Sequence, residues 1–531
     1  MKAFLMYRDR DFDLQLAPPA NEELLIKDLE LDTLFLAMAN RDQLVYDVSK
    51  KAVLTAAVND VAVIGYRQAA LKDCLSNPDV VRQLYALAEE SAQRQKKIWS
   101  TYREYPSGLL DTSVQRMVVF IDVLKRVRTL ADRHVVEFRS EAFSRLFATL
   151  SRELDDDYFA LIDRQLNRLK FRNGVLVSAG LGKGLKGVNY VLRRPLREPG
   201  NWFTRAYRSL FEERPVSYSL HLAPRDEAGA QAMSELRDRG LGLAADALAK
   251  SAEHIGSFFH MLQTELAFYI GCLNLHERVL ELKTPFTFPE ASELSPPRFS
   301  CRDLYDVSLA LSMNKRPVGN EVEADGKSLI MVTGANQGGK TTFLRSFGLA
   351  QMMTQSGMFA PAASLQLNVV DGVFTHFKRE EDATMKSGKF DEELSRMNDI
   401  VNIMTPHALI LFNESFAATN EREGSEIARQ IVSALLERSH KIVFVSHQFA
   451  FTHGLFERRL DSTLFLRADR LDDGRRTFKL IEGEPLGTSF GEDVYREIFL
   501  AGADTKKEAS SRAGIMLEDD RTPWGRIDPA Q

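Results

Sequence analysis

The stretch that most constrains this chain is Gly334-Ala-Asn-Gln-Gly-Gly-Lys-Thr341, which follows the apolar run Leu329-Ile-Met-Val332 and precedes Thr342-Phe-Leu-Arg-Ser-Phe347. It fits G-x-x-x-x-G-K-S/T at every fixed position. A buried strand, a glycine loop and a helix start in this order form a phosphate cradle. Glycines let successive backbone N–H groups turn toward an anion without Cβ clashes. The helix N-terminus adds its dipole. Lys340 is the residue to neutralise phosphate, and Thr341 offers a hydroxyl to Mg²⁺. The plain alternative is a glycine turn joining strand to helix. The strand–loop–helix order favours a nucleotide site built on Gly334, Ala335, Asn336, Gln337, Gly338, Gly339, Lys340, Thr341 and Thr342.

At 531 residues the chain has room for about three domains. With 44% hydrophobic and 27% charged residues it reads as an ordinary globular protein. A net charge of −5 gives no general affinity for nucleic acid, so any basic surface must be local. Cys74, Cys272 and Cys301 are far apart, which fits a reduced compartment better than a disulfide framework. No apolar run reaches membrane-span length, and charge follows the first apolar residues at once. The expectation is a cytoplasmic protein with no membrane segment.

Before the glycine loop the pattern is mostly helical. Asn77-Pro78 opens a helix, Ser113 to Leu130 and Ser140 to Leu169 continue the habit, and Ala244 to Leu282 carries the longest stripe. Leu248, Ile255, Phe259, Leu262, Leu266, Ile270 and Leu273 form that stripe, which reads as helix-packing core. A β-insertion is expected at about 171–224, with strands at Gly174 to Ser178, Val188 to Leu192 and Val216 to Leu222. It is basic (Arg164, Arg168, Lys170, Arg172, Lys183, Lys186, Arg193, Arg194, Arg197, Arg205 and Arg208), with Trp202, Phe203 and Tyr207 interleaved. Composition alone supports either a phosphate-backbone track or a solvated insertion.

A proline-marked linker at 285–300 separates this half from an α/β half. There Ala408 to Phe412 forms a second buried strand ending in Asn413-Glu414, and Ile442 to Ser446 a third ending at His447. Thr463 to Leu466 and Thr477 to Ile481 read as antiparallel edge strands. A carboxylate just past such a strand can activate water beside a γ-phosphate.

These residues resemble the ATPase domain of the MutS proteins of DNA mismatch repair. The glycine loop has that family's G-x-N-x-G-G-K-S/T-T form through Asn336, Gly338-Gly339 and Thr341-Thr342. Ser356-Gly-Met-Phe-Ala-Pro361, Phe374-Thr-His-Phe377 with Glu381-Asp382, Ser395-Arg-Met-Asn-Asp-Ile400, Ser446-His447, Phe478-Lys-Leu480 and Ser489-Phe-Gly491 match further family segments in order. Val61 to Leu71 is similar to a stretch of the family's helical core, carrying Arg67-Gln68. The resemblance implies an α+β multidomain chain: a helical core and lever region at 1–284, a P-loop ATPase domain at 301–502 and a flexible tail at 503–531. It also implies ATP and Mg²⁺ as cofactors, a homodimer, and DNA contact by the basic insertion. Implied roles are Lys340, Glu414 and His447 in catalysis, Thr341 and Asn413 at the metal, and Asn320, Ser387 and Lys389 at the nucleotide.

The sequence departs from the family pattern at several points. Asn413 replaces the metal-associated Asp, which predicts slow hydrolysis. Gly388-Lys389-Phe390, with Ser387 before it, replaces the segment that reaches the partner's γ-phosphate. Ser415-Phe-Ala-Ala-Thr-Asn420 replaces the glycine-rich turn after the glutamate, and Pro317-Val-Gly-Asn320 has no base-stacking aromatic. No Phe-x-Glu wedge precedes Phe211-Glu-Glu213, so a member without the mismatch-reading domain is expected. The rival readings are an ATP-switched scaffold that never meets DNA and a DNA-structure binder unrelated to mismatches. A transporter-type ATPase is disfavoured by the missing L-S-G-G-Q motif.

Overall fold

The computed structural model describes residues 1–55, 60–98, 105–171, 174–193, 221–223, 225–379, 388–471 and 475–486. Among the described residues, eight α-helices precede the β-insertion: α1 (Glu22–Asp28), α2 (Leu31–Ala39), α3 (Gln43–Leu54), α4 (Val61–Ser76), α5 (Pro78–Lys96), α6 (Pro106–His134), α7 (Glu141–Glu153) and α8 (Asp156–Leu169). Pro78 sits at the start of α5 as Asn77-Pro78 predicts, where its missing N–H costs nothing. The single stretch expected at 140–169 is two helices. Leu154 ends α7, and the Asp155 carboxylate caps α8 by accepting from the Tyr158 N–H.

Strands β1 (Val177–Leu181) and β2 (Gly187–Leu192) form an antiparallel hairpin. β1 therefore starts three residues later than its apolar run suggests and runs into the glycine-rich segment. The third expected strand except His221-Leu222, which are not in a strand, the aromatics Trp202, Phe203 and Tyr207, and most of the arginines of this insertion lie outside the described residues. Arg164, Arg168, Lys170, Lys183, Lys186 and Arg193 are described and exposed.

Helix α9 (Glu227–Glu281) has 55 residues and begins well before the predicted Ala244. Its leading part is largely solvent-facing, so it carries little apolar signal. From Thr264 to Leu275 every residue is buried, because α2, α3, α4 and α5 pack around it. Ile255, Phe259, Leu262, Leu266, Ile270 and Leu273 of the predicted stripe are in the core, and Leu248 is at its margin.

The N-terminal segment threads between α9 and α4. Glu265, fully buried in α9, accepts from the Leu5 N–H at 2.6 Å and the Phe12 N–H at 3.0 Å. The hydroxyls of Tyr66 and Tyr269 donate to the carbonyls of Phe4 and Leu5, both at 2.6 Å. Arg67, 1% exposed, donates to the Met6 carbonyl at 3.0 Å and the Ser356 carbonyl at 3.2 Å.

The second half holds α10 (Val307–Met313), α11 (Lys340–Gln355), α12 (Lys389–Ile403), α13 (Glu421–Glu437) and α14 (Phe449–Phe456). Its main sheet has the order β12-β11-β6-β10-β9-β8, from β12 (Arg476–Glu482), β11 (Thr463–Arg470), β6 (Leu329–Thr333), β10 (Lys441–Val445), β9 (Leu409–Asn413) and β8 (Val373–Phe377). All neighbours are parallel except β11 with β12. β6 and β10 are buried along their whole length, as strands covered by helices on both faces must be. β11 is not an edge strand as expected. It pairs in parallel with β6 and antiparallel with β12, and β12 is the strand at that edge of the sheet.

A smaller sheet, β3-β7-β4-β5, contains β3 (Glu290–Ser292), β7 (Ser364–Asn368), β4 (Phe299–Leu304) and β5 (Asn320–Glu323). β3 lies inside the segment read as a linker. One continuous core joins the helical half to this α/β half. Cys74, Cys272 and Cys301 are buried free thiols. Among the described residues, no helix is long and apolar enough to cross a membrane.

Burial pushes the Glu265 carboxyl up from 4.5 to about 7 against the pull of its backbone N–H partners. A folded-state value above the unfolded one means the folded chain holds this proton more tightly. The stability it contributes is complete below pH 4.5 and is lost as pH rises through about 7. Unfolding free energies of wild type and Glu265→Gln, measured at about pH 5 and about pH 8, should show this. The wild-type value should fall by up to about 3 kcal/mol relative to the variant across that interval.

Candidate nucleotide site

The glycine loop leaves β6 and enters α11 at the carboxyl edge of the main sheet, where open α/β sheets place their ligands. Gly334 (φ 111°) and Gly339 (φ 90°) occupy conformations that only glycine adopts at low cost. The β11–β12 hairpin crowds the loop from one side. A Cβ on Gly334 would lie 2.8 Å from the Ala468 nitrogen, and one on Gly338 2.7 Å from the Ala468 Cβ. On Gly339 it would lie 3.3 Å from the Phe478 carbonyl oxygen. The glycines thus serve both the turn and this close packing. Arg476 of β12 donates to the Gln337 side-chain oxygen at 2.6 Å.

Lys340 is 5% exposed and donates through Nζ to the carbonyls of Gly334 (3.0 Å) and Ala335 (2.7 Å). Burial pulls its ammonium down to about 8, with nearby Glu414 opposing the shift. Thr341 donates through Oγ1 to the Asn413 side-chain oxygen at 3.1 Å. This contact joins the loop to the end of β9, two strands away from β6.

Glu414 follows β9 directly, and His447 lies two residues past the end of β10. Val445 and Asn413 are partners in the parallel register, so both chains deliver their next side chains to the same edge. His447 Nε2 is 2.9 Å from Glu414 Oε1. That neighbour, with Lys378 and Lys340 behind it, holds the Glu414 carboxyl below the usual carboxylate range despite partial burial. Glu414 has φ 53° and Phe416 φ 61°, left-handed values that cost a residue with a side chain about 1–3 kcal/mol each. The turn is held by the Glu414 N–H donating to the Val445 carbonyl (2.9 Å) and by Gln448 Nε2 donating to the Phe416 carbonyl (2.8 Å).

A cavity of about 440 Å³ opens over the loop, lined by Asn336 to Thr342 and Glu414 at one end. Leu309, Met313, Pro317, Val318 and Phe478 give the other end an apolar wall suited to a flat base. Phe478, in β12 with φ 59°, is 47% exposed. The sequence reading placed it only in a closing strand and left the base-stacking aromatic unassigned. Its one local signal was an aromatic on an edge strand. Asn320 lines the cavity, but both ends of its amide are used: Nδ2 donates to the Phe478 carbonyl (3.4 Å) and Oδ1 accepts from the Leu480 N–H (2.7 Å). Asn320 therefore fastens Phe478 in place. Lys389 is the exposed first residue of α12 and is not among the residues lining the cavity. Ser387, Glu381-Asp382 and Ser489 to Gly491 lie outside the described residues.

The family model for the MutS2 N-terminal domain matches residues 59–282, and that for MutS domain V matches residues 330–501. The chain belongs to the MutS family. Similar relatives include a DNA mismatch repair protein MutS of Streptococcus equi, 33% identical over 35% of this chain and 23% of its own length. The Endonuclease MutS2 of Thermus thermophilus is 32% identical over 38% of this chain and 26% of its own length. A MutS of Caldicellulosiruptor saccharolyticus is 28% identical over 38% and 23%. The chain thus spans about a quarter of the length of the curated relatives it matches.

For this MutS-family chain, Phe478→Ala should weaken nucleotide binding roughly tenfold, since stacking a base on an aromatic contributes about 1–3 kcal/mol. Titration with a fluorescent ATP analogue would measure it. The maximal turnover rate should change far less than the affinity.

Proposed function

We propose that this chain is a MutS-family ATPase that couples ATP binding and hydrolysis to clamping of DNA in mismatch repair or related DNA maintenance. The observation that carries the reading is that Lys340, Thr341 and Glu414 line one cavity, with Asn413 in contact with Thr341 and His447 in contact with Glu414, all from the ends of three neighbouring strands. In this reading the backbone N–H groups of residues 334–340 and the Lys340 ammonium hold the β- and γ-phosphates. Phosphate oxygens then replace the Gly334 and Ala335 carbonyls as partners of Lys340. The base lies between Phe478 and the Pro317-Val318 side.

The donor set fits Mg²⁺. Thr341 Oγ1 and Asn413 Oδ1 are hard oxygen donors already side by side, as suits a metal that keeps most of its shell from water and phosphate. The bound ion would supply charge compensation for the phosphates. Glu414 stays ionised and accepts a proton from the attacking water. Its lowered pKa makes it a weak base, and Asn413 lacks the usual charge, so both features point to slow turnover. His447 sits close enough to Glu414 to exchange that contact for a γ-phosphate oxygen.

The long helix α9, rooted in the core beside the ATPase half, would carry the nucleotide state outward to the hairpin. The exposed basic residues there supply phosphate contacts, and two copies of the chain would enclose the duplex as a cytoplasmic homodimer. Lys389, at the start of α12, and Ser387 are the candidates to reach the other subunit's nucleotide. A protein-scaffold function is the second reading. It is favoured by the apolar exposure of Leu181 (75%) on the hairpin and Leu243 (86%) on α9.

Steady-state ATP turnover with Lys340→Ala or Glu414→Ala should fall at least about a hundredfold. Full activity in Glu414→Ala would refute the assignment of the base. Gel-shift titrations on duplex, mismatched and branched DNA should give binding at low salt that weakens steeply as salt rises. No binding at low salt, with or without ATP, decides for the scaffold. Restoring the acid with Asn413→Asp should raise Mg²⁺-dependent turnover by about 10- to 100-fold, read as turnover against Mg²⁺ concentration.

A further inference from the structure

Behind the Glu414 turn lies a buried polar group that the reading above does not use. His376, in β8, is fully buried and stacks on Phe416 at 5.2 Å with an interplanar angle of 17°. Its Nε2 is 3.0 Å from the Glu393 carbonyl of α12, and its Nδ1 is 2.7 Å from Ser415 Oγ. A carbonyl can only accept, so Nε2 carries a proton. Burial, aided by nearby Arg396, lowers the imidazole to about 4, so the ring is neutral and Nδ1 is an acceptor. The Ser415 hydroxyl has one proton for two acceptors: Nδ1 of His376 at 2.7 Å and the carbonyl of the same residue at 2.5 Å. Ser415 is thereby held to residue 376 of β8 by one hydroxyl proton shared between the ring nitrogen and the carbonyl. It stands between Glu414 and Phe416, whose left-handed backbone must be held by its surroundings.

We propose that His376 is a positioning residue for Glu414: through Ser415 and Phe416 it fixes the strained turn that aims the carboxylate, and through the Glu393 carbonyl it ties that turn to α12. The inference rests on the ATPase reading. The linkage is the pair of contacts that His376 makes with Ser415 and with the Glu393 carbonyl. It also joins two elements assigned separate tasks above: Glu414 and the helix that begins at Lys389.

The test is His376→Phe in the full-length chain. Phenylalanine keeps the ring on Phe416 and fills the same space. It leaves Ser415 its backbone acceptor at residue 376 and leaves the Glu393 carbonyl to the intrahelical partner of its own helix. Few polar groups are orphaned, so the melting midpoint should be unchanged or raised. Turnover with ATP should drop roughly tenfold while KM and the Kd of an ATP analogue stay within about twofold. Added to Glu414→Ala, the substitution should cause no further loss, the signature of a residue acting through Glu414. His376→Asn, whose side-chain oxygen can take the Nδ1 place, should recover part of the rate.

Wild-type turnover retained in His376→Phe overturns the proposal. So does a loss of turnover accompanied by equal losses of nucleotide affinity and melting midpoint, which marks a merely structural role. If His376→Phe does not fold, Ser415→Ala approaches the same contact from the other side, with the same expected drop and the same overturning results. A wild-type chain with no Lys340-dependent turnover overturns the ATPase reading itself, and this inference with it.

Discussion

Arg67 carries a positive charge in a place with almost no water, and the junction between the two halves is built around that fact. Among the described residues it has no carboxylate within ion-pair distance. Its guanidinium donates to the carbonyls of Met6 and Ser356 and lies over the Tyr7 ring at 4.5 Å. The Ser356 carbonyl belongs to the C-terminal end of α11, where a helix presents its unpaired carbonyls and partial negative charge. The opposite end of the same helix begins at Lys340. One helix therefore holds a cation at its tail, as its dipole favours, and presents its positive end at the glycine loop. Gly357, at φ 84°, lets the chain turn away there, and a Cβ on it would approach within 2.4 Å of the Arg67 Cβ.

Removing Arg67 would free the Met6 carbonyl, the Ser356 carbonyl and the packing over Tyr7 together, in a region where unsatisfied groups are expensive. The N-terminal segment depends on the same cluster. It crosses from α4 to α9 by backbone bonds to Tyr66, Tyr269 and Glu265, so the first twelve residues act as a strap across the junction. Its residues Ala3, Leu5, Met6, Tyr7 and Phe12 belong to the core that the helical half and the α/β half share.

How much of this was legible depended on the distance over which each interaction acts. The glycine loop was readable because its chemistry lies within eight consecutive residues and its strand and helix are adjacent. Asn413, Glu414 and His447 were readable because each follows the end of an apolar run, and strand ends meet at one sheet edge. The place of Phe478 on the cavity wall was not legible because it comes from a hairpin far downstream in the chain and from the fastening by Asn320. β11 was misplaced at the edge because pairing with β6 leaves no local mark. Arg67 and Glu265 gave no hint of their burial, since isolated charges on helical patterns usually face water. The start of α9 was missed because the part that leaves the core loses the apolar periodicity that reveals helices.

The length of α9 has a mechanical consequence. It is clamped near Glu265 and continues unbroken to Glu227, on the order of 60 Å away at 1.5 Å per residue. A rigid rod of that length has a large displacement gain. A tilt of about 5° at the clamp moves the far end by about 5 Å, roughly one helical turn. A small rotation near the clamp would thus appear at the far end as a shift of side-chain dimensions, without any element having to unfold.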